Sequence, residues 1–404
     1  MLLKLAWRNI WRNRRRSVIV LSAIVVGIIV LVMSESLVEG VLNGMLENQV
    51  GSYAAHIQIH QKGFNDNRII QRTVPDPARV ERAMRSIPTV TAYSTRVLSY
   101  GLLSSASNSS GVSLIGVHPD QEERVSTIKR SIVEGNYLSG REREIVVGKG
   151  LSERLGVVLG DKVVAMASTP DGQVGSDVFR ISGIYQTSNS EFDRVCVYIP
   201  IGTAQRMLAI GDRISEFAVI ASSIDSVEQI DRQLELQLDD TYEVLNYKEL
   251  MPAMMMMIEL FGEAIGIYYL IIGIAVIFGI INAMLMSVFE RIREFGVLMA
   301  MGMKGRKLFS MIMIEALFLG IVGTVIGLGV GVAVYLPFWK YGLDLSAFAE
   351  GLTMFGMGVI VYPVLTPDAV VRMLVSIPFM SVLASIYPAM KAIRLQPVWA
   401  IYYV

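Results

Sequence analysis

The chain has 404 residues, 53% of them apolar and 18% charged, with a mean hydropathy of +0.50. That apolar excess excludes an ordinary soluble protein of this length, and a formal net charge of zero excludes nucleic-acid binding through overall basicity. Cys196 is the single cysteine, so an intrachain disulfide framework and a multi-cysteine metal site are excluded too.

Residues 1–16 read MLLKLAWRNIWRNRRR, basic throughout and without an acid. Trp7 and Trp11 are four apart and share one helix face, with Leu3 and Ile10 close to it. Basic residues with interfacial Trp predict a helix on an anionic cytoplasmic leaflet. A secretory signal is the alternative, opposed by the length of the apolar run that follows and by the lack of a small-x-small cleavage site. Residues 17–50 form that run, and about twenty apolar residues cross the roughly 30 Å hydrocarbon core. The pattern predicts a first span continuing as a stalk, with Glu35, Glu39 and Glu47 on its far side.

From 51 to 241 polar and apolar residues alternate between turn residues. This predicts an inserted α+β domain large enough for its own core. Expected strands include 56–60, 112–117, 144–147, 162–167, 178–185, 195–199 and 216–220. Expected helices are 75–87, 149–155, 203–208 and 226–238. Residues 242–289 lead back to the membrane through Met254–Met257 and a second span at 261–289. A charged segment follows at 290–307, then a third span at 308–336 rich in Gly at three- and four-residue spacing, which allows close helix contact in lipid. Residues 337–368 are expected as a loop, 369–394 as a fourth span with its end, and 395–404 as a tail. The fold class is therefore membrane α-helical, with four spans in a 1+3 layout and an inserted α+β domain. Basic residues crowd the N-terminus, the 290–307 segment and the C-terminal end. The expected orientation puts both termini and that segment in the cytoplasm and the large domain outside.

No G-x-x-x-x-G-K-[ST], H-E-x-x-H or G-x-S-x-G occurs, and no nucleophile or carboxylate pair stands out, so an enzymatic site and a nucleotide site are not expected. Leu138-Ser139-Gly140 only faintly matches an ATP-binding-cassette helical motif and lacks its second Gly. His56 and His60 share one strand face, which is the minimum for a metal site; solvated histidines are the expected reading, and no metal is expected. Glu315 is the one acid well inside a predicted span and should face the bundle interior, as a hydrogen-bonded packing residue rather than a proton site. The Met254–Met257 run reads as interfacial helix, with thioethers suited to acyl chains as the sharper reading.

Residues 290–307, ERIREFGVLMAMGMKGRK, are the one dense cluster of charge between two spans. Arg291, Arg293, Lys304, Arg306 and Lys307 flank an apolar middle. Such an amphipathic segment at a membrane surface is where a soluble partner can press.

Glu290-Arg291-x-Arg293-Glu294-Phe295-Gly296-x-Leu298-x-Ala300-x-Gly302, followed by Glu315-Ala316, resembles the FtsX-like, MacB-type permeases of bacterial ATP-binding-cassette (ABC) systems. So do Tyr387-Pro388-Ala389 with Lys391-Ala392, Arg394-Leu395 and Pro397, and Trp7-Arg8-Asn9 with Arg12 and Arg14-Arg15-Arg16-Ser17. Within that family Leu42-Asn43-Gly44-Met45 is similar to the Lol lipoprotein-releasing permeases. Their macrolide-exporter cousins carry a fused ATPase that this chain lacks.

The resemblance implies a MacB-like periplasmic core domain and a location in the bacterial inner membrane. It implies a separate cytoplasmic ATPase, holding ATP and Mg, that grips Glu290, Arg291, Arg293, Glu294, Phe295, Gly296, Leu298, Ala300 and Gly302. It implies a second permease copy or paralogue, so that the working unit is a dimer, and a lipoprotein whose acyl chains contact Val41, Leu42, Met45, Met254, Met257 and Phe261. A periplasmic carrier would dock on a hook at Thr169, Pro170, Asp171 and Gly172. The alternatives are mechanotransmission to a periplasmic hydrolase and efflux with an adaptor.

Overall fold

The computed structural model describes Trp7, Arg8 and residues 14–67, 70–354 and 356–394. The expected tail at 395–404 lies outside them, as does most of the interfacial helix at 1–16. Four helices are long and apolar enough to cross a membrane: α1 (Arg14–Gln49), α2 (Pro252–Glu290), α4 (Gly305–Tyr341) and α5 (Pro367–Ile393). A nine-residue helix, α3 (Ile292–Ala300), stands between α2 and α4. With 36 and 39 residues, α1 and α2 reach about 54 and 58 Å, nearly twice the hydrocarbon thickness.

The expected loop at 337–368 is more ordered than its sequence suggests. Pro337 sits inside α4, which runs on to Tyr341. Leu343–Asp344 then pairs with Ile360–Val361, and Ala349–Met354 is helical. Proline is tolerated in membrane helices because neighbouring groups re-satisfy the backbone it frees.

The described residues divide into two compact units. One comprises those up to Leu42, Met257–Asp344 and those from Ile360 onward; the other comprises Asn43–Met256 and Leu345–Val359.

In the first unit, α1 is seated on a groove of glycines. A Cβ at Gly323, Gly327 or Gly331 of α4 would lie 2.8, 2.7 or 3.1 Å from side-chain atoms of Ile24, Ile28 or Val32. These glycines recur every four residues and so line one face, which is how small residues let helix backbones approach in lipid, where burial itself supplies no drive. Ile24, Ile28 and Val32 are fully buried there. Toward the end of α1, Gly40 is pressed against the Tyr362 carbonyl, and the Val364 N–H donates to the Ser36 carbonyl at 2.8 Å. Glu35 of α1 accepts from Tyr269 Oη of α2 and from the Arg372 guanidinium of α5. One carboxylate thus ties three helices.

The second unit is built on ten strands: β1 (Ile57–Gln61), β2 (Val90–Ser104), β3 (Ser109–Val117), β4 (Ile132–Gly135), β5 (Glu144–Gly148), β6 (Lys162–Ser168), β7 (Val174–Tyr185), β8 (Cys196–Pro200), β9 (Glu216–Ala221) and β10 (Tyr242–Asn246). The order runs β10-β1-β9-β2-β3-β8-β5-β7-β4, and β6 pairs with both β2 and β7. Strands β2, β3, β8, β5, β7 and β6 therefore close into a ring, while β10 and β4, each paired on one side, end the sheet outside it. Its core includes Val97, Leu103, Leu114, Val147, Phe179, Ile181, Val197 and Ile199. Pairing is parallel between β3 and β8 and between β5 and β7.

Beside the barrel, a fully buried network links β1, β2, β9 and the turn of helix Pro119–Glu122. Arg96 is 2.6 Å from Glu122 and 3.0 Å from Glu216, and Glu216 is 3.1 Å from His60 Nε2. Burial alone would raise the Glu216 carboxyl; the His60 hydrogen bond and the Arg96 charge outweigh it and hold the group below its ordinary 4.5. Burial would likewise lower the Arg96 guanidinium, but Glu122 and Glu216 hold it well above its usual range.

Gly327→Leu forces α1 off α4 and destabilises the protein by about 1–3 kcal/mol. Gly329→Ala, at a position with open space around it, leaves thermal unfolding in detergent unchanged or slightly raised. Arg96→Met strands two buried carboxylates and costs about 3–5 kcal/mol at neutral pH in urea unfolding. A folded-state pKa below the unfolded value gives stability that is present above 4.5 and lost as pH falls through the folded pKa. The native protein therefore weakens below about pH 4.5, and the penalty of Arg96→Met is smaller in acid than at neutral pH, because without Arg96 burial pushes the Glu216 carboxyl up.

Candidate coupling site

α2 stops at Glu290, and Arg291 breaks the helix (φ −112°, ψ 16°) before α3 begins. Nine residues give α3 two faces. Arg291, Ile292, Phe295 and Gly296 are buried, and Phe295 shares the bundle core with Leu308, Met311, Ala389 and Ala392. Arg293, Glu294, Val297, Ala300 and Met301 are exposed, at spacings that place them on one side of the helix. Glu290 and Gly302 are exposed at its two ends, and Leu298 is half-buried.

The segment read from sequence as one contact surface thus separates by role. The exposed residues face away from the bundle, whereas Arg291, Phe295 and Gly296 hold the helix to it. Arg291 Nε donates to Glu294 at 2.9 Å, Nη1 donates to Glu315 of α4 at 3.3 Å, and the guanidinium lies 5.0 Å from the Phe295 ring centre. Glu315 is 1% exposed, so this residue faces the bundle and its charge is met by Arg291. At the C-terminal end of α3, the Met303 N–H donates to the Leu298 carbonyl at 3.0 Å, and Gly302 takes φ +94°, a conformation that favours glycine. The C-terminal motif contributes to the same region: Pro388 and Ala389 are buried, and the Lys391 ammonium lies 5.5 Å from the Phe289 ring.

The residues expected to meet acyl chains divide between the two units. Val41 and Leu42 lie on α1 and Met257 and Phe261 on α2, all in the bundle and all at least half-buried; Met45 and Met254 are buried in the other unit. Sequence reasoning missed a groove within the bundle itself. Leu31, Ser34, Glu35, Leu37 and Val38 of α1 and Ile265, Tyr268 and Tyr269 of α2 line a mostly apolar cavity of about 160 Å³. Its only sequence signal is a Glu followed by aliphatic residues on one helix and a pair of Tyr on another.

Thr169–Gly172 is not an extended arm. The Gly172 N–H donates to the Thr169 carbonyl at 3.0 Å, closing a tight turn between β6 and β7, and Gln71 Nε2 donates to the Pro170 carbonyl at 3.2 Å. Pro-Asp-Gly suits that turn, since Pro presets φ and Gly172 takes φ +78°. Only Asp171 and Gly172 are exposed at its tip.

The expectation of solvated histidines fails at His60, which is 1% exposed, bonded to Glu216 and stacked on Phe64 at 5.1 Å. Strand β1 is buried on both faces, so its period-two pattern does not mark a solvent side. His56 precedes the strand and accepts from the Ala221 N–H at 2.9 Å; burial lowers its pKa. Among the described residues no three potential metal ligands come together. The carboxylates of Glu122 and Glu216 are sealed from solvent around Arg96, which makes them structural.

Four apolar helices, an inserted barrel domain and a short helix with one face outward define a multi-pass membrane protein. Residues 17–236 match the MacB-like periplasmic core domain and residues 266–397 the FtsX-like permease C-terminal region, and the chain belongs to this family of ABC transporter permeases. It is 25% identical over 300 residues to the lipoprotein-releasing system transmembrane protein LolC of Xylella fastidiosa (strain 9a5c), covering 71% of this chain and 72% of that protein. It is 26% identical over 408 residues to LolC of Neisseria meningitidis serogroup B, covering 94% and 93%. The pyoverdine export ATP-binding/permease protein PvdT of Pseudomonas fluorescens is 26% identical over 357 residues, covering 81% of this chain and 51% of that protein. The protein is thus a non-catalytic membrane subunit that works with an ATPase.

Proposed function

We propose that this chain is a permease subunit that couples ATP hydrolysis by a separate cytoplasmic ATPase to the extraction of lipoproteins from the outer leaflet of the inner membrane. The observation that carries this reading is the similarity to Neisseria LolC along 94% of this chain and 93% of that protein. The ATPase presses on the exposed face of α3, from Glu290 through Arg293, Glu294, Val297 and Ala300 to Gly302, with Leu298 half-buried beside it. The basic residues around α3 make that side cytoplasmic, so both termini are cytoplasmic and the MacB-like domain is periplasmic. The apolar cavity between α1 and α2 supports the acyl-chain assignment, together with Val41, Leu42, Met257 and Phe261. Pulling an acyl chain from lipid costs about 0.8 kcal/mol per exposed CH₂, so an ATP-driven step is physically apt. A second permease chain completes the working unit, and a periplasmic carrier receives the cargo near the Asp171–Gly172 tip. Similarity to PvdT favours efflux as the second reading; transmission of force to a periplasmic hydrolase is the third.

Two outcomes are expected. Glu294→Lys reverses charge on the exposed face, and Gly296→Trp fills a buried position; each lowers co-purification with the ATPase or ATP-driven activity at least about tenfold, the equivalent of 1.4 kcal/mol, while membrane insertion is unchanged. Normal coupled activity in both removes α3 as the contact. Proteoliposomes holding the permease, its ATPase and a carrier release a lipoprotein on ATP addition; absence of release under those conditions removes the cargo assignment.

A further inference from the structure

The backbone joins α3 to α4 only through Met301–Lys304. That turn is capped by the Met303 and Gly302 N–H groups but is lightly packed at its middle. Met301 is 72% exposed, Gly302 has a positive φ, and a Cβ at Gly302 would meet nothing within 4 Å. A second connection bypasses it. Arg291, at the first residue before α3, reaches Glu315, ten residues into α4, at 3.3 Å. The two side chains are 8% and 2% exposed. Arg291 is also fixed to α3 itself, through Glu294 at 2.9 Å and the Phe295 ring at 5.0 Å.

We propose that the Arg291–Glu315 ion pair is the element that makes α3 and α4 move as one body, so that these are positioning residues carrying the ATPase's push into the third span. The inference rests on the reading of α3 as the ATPase contact. The physical reason is directional. A buried charge that loses its partner in a low-dielectric site is strongly penalised, so the pair resists sliding and tilting of α3 over α4, whereas apolar packing of Phe295 can be remade after a small shift. The push would otherwise be absorbed in the glycine turn. Because Glu315 sits on the helix whose glycines seat α1, displacement of α4 carries α1 with it.

The test uses the full chain with its ATPase in lipid nanodiscs, with spin labels at Met301, at the end of α3, and at Val334, exposed on α4. Co-purification of the ATPase with the labelled protein is checked first. In the native pair the distance between labels is the same without nucleotide and in the ATP–vanadate trapped state. In Arg291→Gln and in Glu315→Gln it changes between those states by about 2 Å or more, the scale of helix shifts in switching proteins. Arg291→Lys keeps both charges and restores the fixed distance, which separates the ion pair from a general folding defect. A fixed distance in both Gln variants, a changing distance in the native protein, or an Arg291→Lys variant as loose as Arg291→Gln each overturns the inference while leaving α3 as the docking site. Failure of the native protein to retain the ATPase overturns the docking reading and the inference with it.

Discussion

The bundle depends on how closely α1 approaches α4. In lipid, helices gain little from burying apolar surface against one another, because the tails around them are as apolar as leucine. Association then has to come from contact and from polar pairing. Gly323, Gly327 and Gly331 supply the contact, by leaving a channel one methyl deep into which Ile24, Ile28 and Val32 fit. Glu35 supplies the pairing, with Tyr269 from α2 and Arg372 from α5 converging on its two oxygens. A carboxylate left alone at that depth would cost several kcal/mol, so the arrangement penalises any separation of the three helices.

The same logic governs two further places where charge is buried. Arg291 and Glu315 pair where a short exposed helix meets a long buried one, and Arg96 gathers two carboxylates and a histidine beside a closed barrel. Neither group has the access that chemistry on a substrate requires. Their effect is to make one arrangement much better than its neighbours, which suits a non-catalytic subunit. Barrel closure serves the same end for the six strands of the ring, since each is paired on both sides and resists slipping.

The spans were legible because each is a long apolar run, and the family was legible because Glu290–Gly302 keeps residue types at fixed spacing. What escaped was pairing across distance. Arg291 reads as a surface basic residue and Glu315 as an intramembrane acid, yet nothing in a linear pattern joins residues on different helices. Glu35 reads as marking the far side of the membrane, although it anchors three helices. The longest strand, β2, was not anticipated at all: Ser, Thr, Gly and Arg96 interrupt its alternation, and buried polar residues at Ser94 to Arg96 conceal a central strand. His60 was misjudged for the related reason that a strand buried on both faces has no polar side. Turn chemistry, by contrast, was available at Thr169–Gly172, where Pro-Asp-Gly spells a tight turn more directly than a hook.

The central claim is that an ATPase drives this permease through the outward face of α3. The most direct measurement places a photo-crosslinking residue at Val297, exposed at the middle of that face, and at Leu236, exposed on the inserted domain, in cells that make the whole system. The account predicts an adduct with an ABC ATPase from Val297 and none from Leu236. An ATPase adduct from Leu236, or no ATPase adduct from Val297 in a protein that co-purifies with one, would contradict it.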